Sequence, residues 1–249
     1  MKKAKLLRLA REHRAVLSRE LVDLAQILEA GQICPDAGPL RAAANQCGAS
    51  GGDHWQYDIT NLLIPLPNAV VSLPIGAVGV SCRLNFRAHG FCSRANNTFE
   101  PMDDLTMTLV FDSSIPTSPH PLIQSWRLER HSGGQSPFAH PRYHFQYGGW
   151  QLQQHANSCG FPFFDGLVFL EAPRIAHPPL DGILAVDFIV SNFGAQHWSN
   201  LRSDIRYTRL VDRAQGRCWY PYAAAASSRW AKSRMTSPWP AIDIWPQLN

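Results

Sequence analysis

With 249 residues the chain is long enough to bury a sizeable core, as one large domain or two small ones. Apolar residues make up 45% and charged residues 17%, which excludes a disordered chain. A net charge of +4 and a pI near 8.8 exclude a dedicated polyanion binder, while leaving contact with nucleic acid or an acidic partner open.

Arg8, Arg11, Glu12 and Arg14 interrupt any apolar stretch that would serve as a secretion signal. No run of about 18 apolar residues exists, so no membrane span or membrane partner is expected. The six cysteines (34, 47, 82, 92, 159 and 218) are scattered without a Cys-x-x-Cys pair. The expectation is reduced thiols in a cytoplasmic protein, with no bound metal and no cofactor. Gly-x-Gly-x-x-Gly, Walker A and Gly-x-Ser-x-Gly motifs are absent.

Residues 1–31 read as a helix. Leu17, Leu21, Leu24 and Leu28 recur at helical spacing, Leu6, Leu9 and Val16 continue the pattern, and Gly31 is the stop. Residues 31–56, rich in Gly, Pro, Ala, Asn and Ser, read as a linker or irregular cover. An antiparallel sheet is expected over 57–150. In its first stretch, 57–71, Pro65 and Pro67 exclude a central strand. Period-two alternation then marks strands at 77–89, 104–112, 123–131 and 142–147. The segment SSIPTSPHP suits the turn between the second and third of these.

The character changes at 178–216. The run LDGILAVDFIVSNF is apolar nearly all round, which fits a buried helix or a buried strand; its length favours the helix, and Asp187 within it needs a hydrogen-bonding or ionic partner. A further helix is expected with Ser199 as N-cap, Leu201, Ile205 and Leu210 as its stripe, and Gly216 at its end. Residues 217–249 read as an irregular aromatic tail anchored by Trp219, Trp230, Trp239 and Trp245. The fold class is α+β: an N-terminal helix, an antiparallel β-meander and C-terminal helices packed on one face, in a single domain over 1–249.

The stretch most suited to chemistry is 131–159, which holds His131, His140, His144, His155 and Cys159. If 123–131 and 142–147 are neighbouring strands, Arg127, Glu129 and His131 share a face by period two, as do His144 and Gln146. His140 stands at the strand entrance, held by Pro141. Two imidazoles near neutral pH suit general acid–base transfer, with Arg127 or Gln146 stabilising negative charge. That arrangement would fit metal-independent RNA cleavage. A metal-ligand set of His140, His144 and His131 or Glu129 also has a His-x-x-x-His spacing, but Pro141 and the alternation favour a strand over the helix such a pair needs. Cys159 is a nucleophile candidate if His140, His144 or His155 stabilises its thiolate. Structural support of loops beside an aromatic core is the alternative for the whole group.

The order of elements, the N-terminal RELVDL helix, the meander, the His140–Pro141 step and the later helices together resemble the ubiquitin-conjugating (E2) and RWD-like fold. Arg142 stands where the family's His-Pro-Asn segment has its asparagine. The resemblance implies an E2-like scaffold, with Cys159 at the place of the family's cysteine. Two functions are thus expected in turn. The first is an intracellular binding or scaffold protein with a protein partner in a multiprotein system. The second is a toxin-like, histidine-dependent nuclease or related hydrolase. RNA or DNA contact would use the basic N-terminus and the region from Arg202 to Arg234.

Overall fold

The computed structural model describes residues 2–71, 76–94, 100–116, 120–131, 139–160, 173–228, 230, 239 and 241–246. The apolar run at 167–172 and the stretch 231–238, with Arg234, lie outside them. The architecture is α+β: an N-terminal helix, a six-stranded antiparallel sheet and C-terminal helices.

Helix α1 (Lys2–Ala30) buries Leu17, Leu21, Leu24 and Leu28. Its left-handed terminal residue is Gln32 (φ 53°), one place beyond Gly31. The Ile33 N–H returns to the Leu28 carbonyl at 2.9 Å, the six-to-one bond that closes such an end. The expected linker is corrected next. Residues Gly38–Ala49 form α2, which starts with Pro39 in its first turn and buries Leu40, Ala43, Ala44 and Cys47. Small side chains let it lie close to α1, and they also hid its periodicity.

The sheet is a simple meander in chain order: β1 (His54–Pro65), β2 (Val78–Phe91), β3 (Asp104–Ser114), β4 (Leu122–Arg130), β5 (Tyr143–Tyr147) and β6 (Ile175–Ala176). β1 is an edge strand, as Pro65 requires. A bulge between Ile59 and Leu62 places Asn61 at φ 55°. That edge is covered. The Asp58 N–H donates to Gln46 of α2 at 2.7 Å, and the Cys34 thiol donates to the Leu63 carbonyl at 3.1 Å.

Alternation sends Tyr57, Ile59, Leu84, Phe86, Leu105, Met107, Leu109, Leu128 and Phe145 into one buried face. Helix α4 (Gly182–Phe193) packs there, stacking Phe188 on Phe145 and setting Phe193 against Phe111. Its N-cap is Asp181, whose Oδ1 accepts from the Ile183 and Leu184 N–H groups. The partner that Asp187 needs is double: Tyr207 donates to it at 2.9 Å and Arg202 at 3.1 Å.

Two further corrections concern the C-terminal helices. Ser199 lies inside α5 (Ala195–Ser203), and the cap of the next helix is Asp204, which accepts from the Arg206 N–H. That helix, α6 (Ile205–Ser227), runs through Gly216 and Pro221, so the residues up to Ser227 are helical and not an irregular tail. Tyr207, Leu210, Val211, Ala214, Cys218 and Tyr222 keep one buried stripe across both breakers, and that burial outweighs their local cost. Of the expected anchors, Trp239 is buried between Tyr143 and Tyr222, whereas Trp230 is 64% exposed.

Candidate functional site

The register of β4 and β5 sets Arg127 opposite Gln146 and Glu129 opposite His144. All four therefore lie on the sheet face opposite the core, as alternation and antiparallel pairing require. Arg127 donates to Glu129 at 2.7 Å along its own strand. Facing residues on β2 and β3 are also polar, with Arg83 paired to Asp112 and Arg87 to Asp104. The arginines of this face are thus balanced by carboxylates, and the face offers no unbalanced track for a phosphate backbone.

His131 and His140 meet where the two strands end. The His131 N–H donates to the Arg142 carbonyl at 2.7 Å, extending the ladder one step beyond β4. His140, just outside β5, stacks on His131 with ring centroids 3.8 Å apart and planes 20° from parallel. His144 closes the group, edge-on to His140 at 4.6 Å.

Only 2% of His144 is exposed. Its Nδ1 lies 3.1 Å from the Pro141 carbonyl. A carbonyl only accepts, so Nδ1 carries the proton and Nε2 presents a lone pair. Nε2 of His144 and Nδ1 of His140 are both buried without a hydrogen-bond partner among the described residues. Burial, then the neighbouring His140, lowers the His144 pKa to about 4, against the pull of the Pro141 bond. His140 is lowered too, by burial and by the charges of His131 and Arg174. Near neutral pH His144 is therefore a fixed, uncharged acceptor and a poor proton carrier. Arg174, just before β6, is a member of this neighbourhood that no periodicity announced.

Cys159 and His155 belong elsewhere. Both lie on α3 (Trp150–Cys159), a helix not foreseen from the chain, where the thiol sits 3.6 Å from the His155 Nε2. Ser158 is the other neighbour of that sulfur. The imidazole beside Cys159 is the one four residues back on its own helix, not His140 or His144. Among the described residues no three His, Cys, Asp or Glu side chains converge as a metal site requires.

A second polar locus was not foreseen. A small cleft of about 30 Å³, room for a water or two, is lined by His13, Trp55, Tyr57, Asp181, Arg217 and Cys218 among others. Arg217 spans it, reaching Glu20 at 2.7 Å and Asp181 at 2.8 Å. Burial, and then the charges of Arg217 and Arg14, lower the His13 pKa to about 4. The only hint in the chain was Asp181 ahead of an apolar run, an N-cap pattern.

The outer surface of α5 and α6 is of another kind. Trp198, Arg202, Ile205, Arg209 and Tyr220 are exposed, Tyr220 by 65%, and the Arg202 guanidinium lies over the Trp198 ring at 5.4 Å. Comparison with protein-family models, curated proteins and solved structures finds no match for this chain.

Proposed function

We propose that the chain is a cytoplasmic binding or scaffold protein of E2/RWD-like arrangement that holds a protein partner within a multiprotein system. The observation that carries this reading is the outer stripe of α5 and α6. Ile205, Arg209, Gly216 and Tyr220 recur along the solvent side of α6, and Trp198 and Arg202 are exposed on the preceding helix α5. Exposed Trp, Tyr and Arg side chains on two consecutive helices have the composition of interface hot spots. The histidine group supports the same reading. Its most buried member is neutral and bonded to a carbonyl, the part of a brace at the β4–β5 corner. His140 keeps company with His131 and His144, and Cys159 with His155, so the scaffold reading does not include thioester chemistry.

The test uses the purified chain as bait in extract of its own cells, beside a bait carrying Arg209→Glu and Tyr220→Ala. A partner held by the first and lost by the second supports the proposal. Identical retained proteins from both baits would sink it.

A second reading is favoured by the convergence of His131, His140 and His144 near Arg174, with Arg127 and Gln146 on the same sheet face. It is a toxin-like, metal-independent nuclease or related hydrolase in which His131, the outer member of the stack, exchanges the proton. RNA or DNA would approach through the basic N-terminus and the arginines from 202 onward. Incubation with RNA and DNA, with and without EDTA, decides it. Cleavage that survives EDTA and is lost in His131→Ala supports this reading, and no cleavage under any condition removes it.

A further inference from the structure

Helix α1 carries two apolar stripes. The first, Leu17, Leu21, Leu24 and Leu28, is buried in the core. The second runs beside it as Leu6, Leu9 and Val16, at steps of three and seven, with His13 between them turned into the cleft beside Arg217. Leu6 is 54% exposed, Leu9 46% and Val16 43%. From Ala4 to Leu9 every residue is exposed, so the helix continues past what the described residues cover. Lys5, Arg8, Arg11 and Arg19 are exposed along the same length, and Lys2 and Lys3 precede them. Only Glu12 among the first nineteen residues is acidic, and Arg8 holds it at 3.6 Å.

An uncovered apolar stripe bordered by unbalanced cations is complementary to a surface that is both apolar and anionic. The shape narrows the choice. From Ala10 onward the opposite side of α1 is taken by α2, α4 and α6, so a groove that grips a helix from both sides cannot receive Val16 together with Leu6 and Leu9. A second copy would bring Lys5, Arg8 and Arg19 of one chain against the same cations of the other. A nucleic acid would use the cations but gain nothing from the leucines. A planar surface with an oily interior and an anionic skin uses both.

We propose that the free flank of α1 docks on an anionic lipid surface. Leu6, Leu9 and Val16 enter the boundary between headgroups and acyl chains, while Lys5, Arg8 and Arg19, on the near side of the helix, meet the lipid phosphates. The attachment is peripheral. Among the described residues no helix is long and apolar enough to cross a membrane.

The test is co-sedimentation of the full chain with phosphatidylcholine vesicles and with vesicles about one-third phosphatidylserine. The chain pellets with the anionic vesicles and not with the neutral ones. Two double variants, Leu6→Ser with Leu9→Ser and Lys5→Glu with Arg8→Glu, each weaken that binding by about tenfold. Their melting temperatures stay at the wild-type value, because all four side chains are exposed. No pelleting with anionic vesicles, or equal pelleting with both kinds, overturns the proposal. So does wild-type binding by the serine variant, which would leave a purely ionic adhesion. Binding of duplex RNA, lost in the charge variant with no vesicle binding by the wild type, would assign the flank to nucleic acid instead.

Discussion

His144 donates its Nδ1–H to the carbonyl of Pro141, three residues earlier in the chain, at 3.1 Å. That bond ties the His140–Pro141 step to the first turn of backbone entering β5 and holds the imidazole in one tautomer. The same ring is nearly the most buried polar group on its sheet face, and its behaviour separates support from catalysis.

Replacing it tests the brace directly. His144→Ala removes a buried ring and leaves the Pro141 carbonyl unpaired, a loss of about 2–3 kcal/mol in a denaturant melt. His144→Asn, whose side-chain N–H stands close to the position of Nδ1, recovers about 1 kcal/mol of that. A His144→Ala protein that melts like the wild type would contradict the brace.

The same burial makes stability depend on pH. The His144 and His13 pKa values lie at about 4 in the folded chain, below the ordinary 6.5. Between those values the unfolded chain takes up protons that the native state refuses, so stability falls as pH falls through that window. Urea melts at stepped pH show the slope, and His144→Asn removes its own share of it. A flat profile from pH 6.5 to 4 would contradict both assignments.

Arg217 is the hinge of the buried ion network. Glu20 and Asp181 are 3% and 4% exposed, and Arg217 is paired to each. Arg217→Met takes the shared cation from two buried carboxylates, leaving Asp181 only its cap bonds and Glu20 only Arg213, and costs about 3–5 kcal/mol. Arg213 also holds Glu20, at 2.6 Å, but is half in solvent, so Arg213→Met costs less than about 1 kcal/mol. Equal losses in the two variants would show that the network is not centred on Arg217.

Two glycines give opposite signs. A Cβ on Gly90 would stand 2.6 Å from the Pro101 carbonyl oxygen and 2.7 Å from the Trp55 ring, so Gly90→Ala destabilises by about 2 kcal/mol or more. A Cβ on Gly216 meets nothing within 4 Å in the middle of α6. Gly216→Ala therefore stabilises by about 0.5–1 kcal/mol, measured in the same melts.

Thiol chemistry picks out Cys159. Cys34, Cys47, Cys82, Cys92 and Cys218 are buried, and burial pushes every one of those thiols up, Cys47 to about 12. Cys159 is partly exposed with His155 beside it. Titration of the native protein with a thiol reagent gives one fast equivalent, which disappears in Cys159→Ser. Two or more fast thiols would contradict the burial of the others.

Much of the sheet was legible in the chain because a strand's side-chain period is local. Leu84, Phe86 and Ala88 against Arg83, Asn85 and Arg87 announce β2 and its two faces without any partner. Antiparallel pairing then places Arg127, Glu129, His144 and Gln146 together. The helices were read less well. Small residues in α2 carry no strong stripe, and Gly216 and Pro221 are breakers that only packing of Tyr207, Leu210, Cys218 and Tyr222 could override.

What the sequence determined by itself is therefore the α+β class, the alternating strands and the side of the sheet on which each polar residue falls. The tertiary structure decided how deep those residues lie and which groups they meet. Local periodicity sets the direction of His144, but the packing around it, with His140 edge-on, goes with its burial, and burial sets its charge. Glu20, Asp181 and Arg217 show the same division. They stand far apart in the chain, and only the docking of α1, α4 and α6 makes them one buried site.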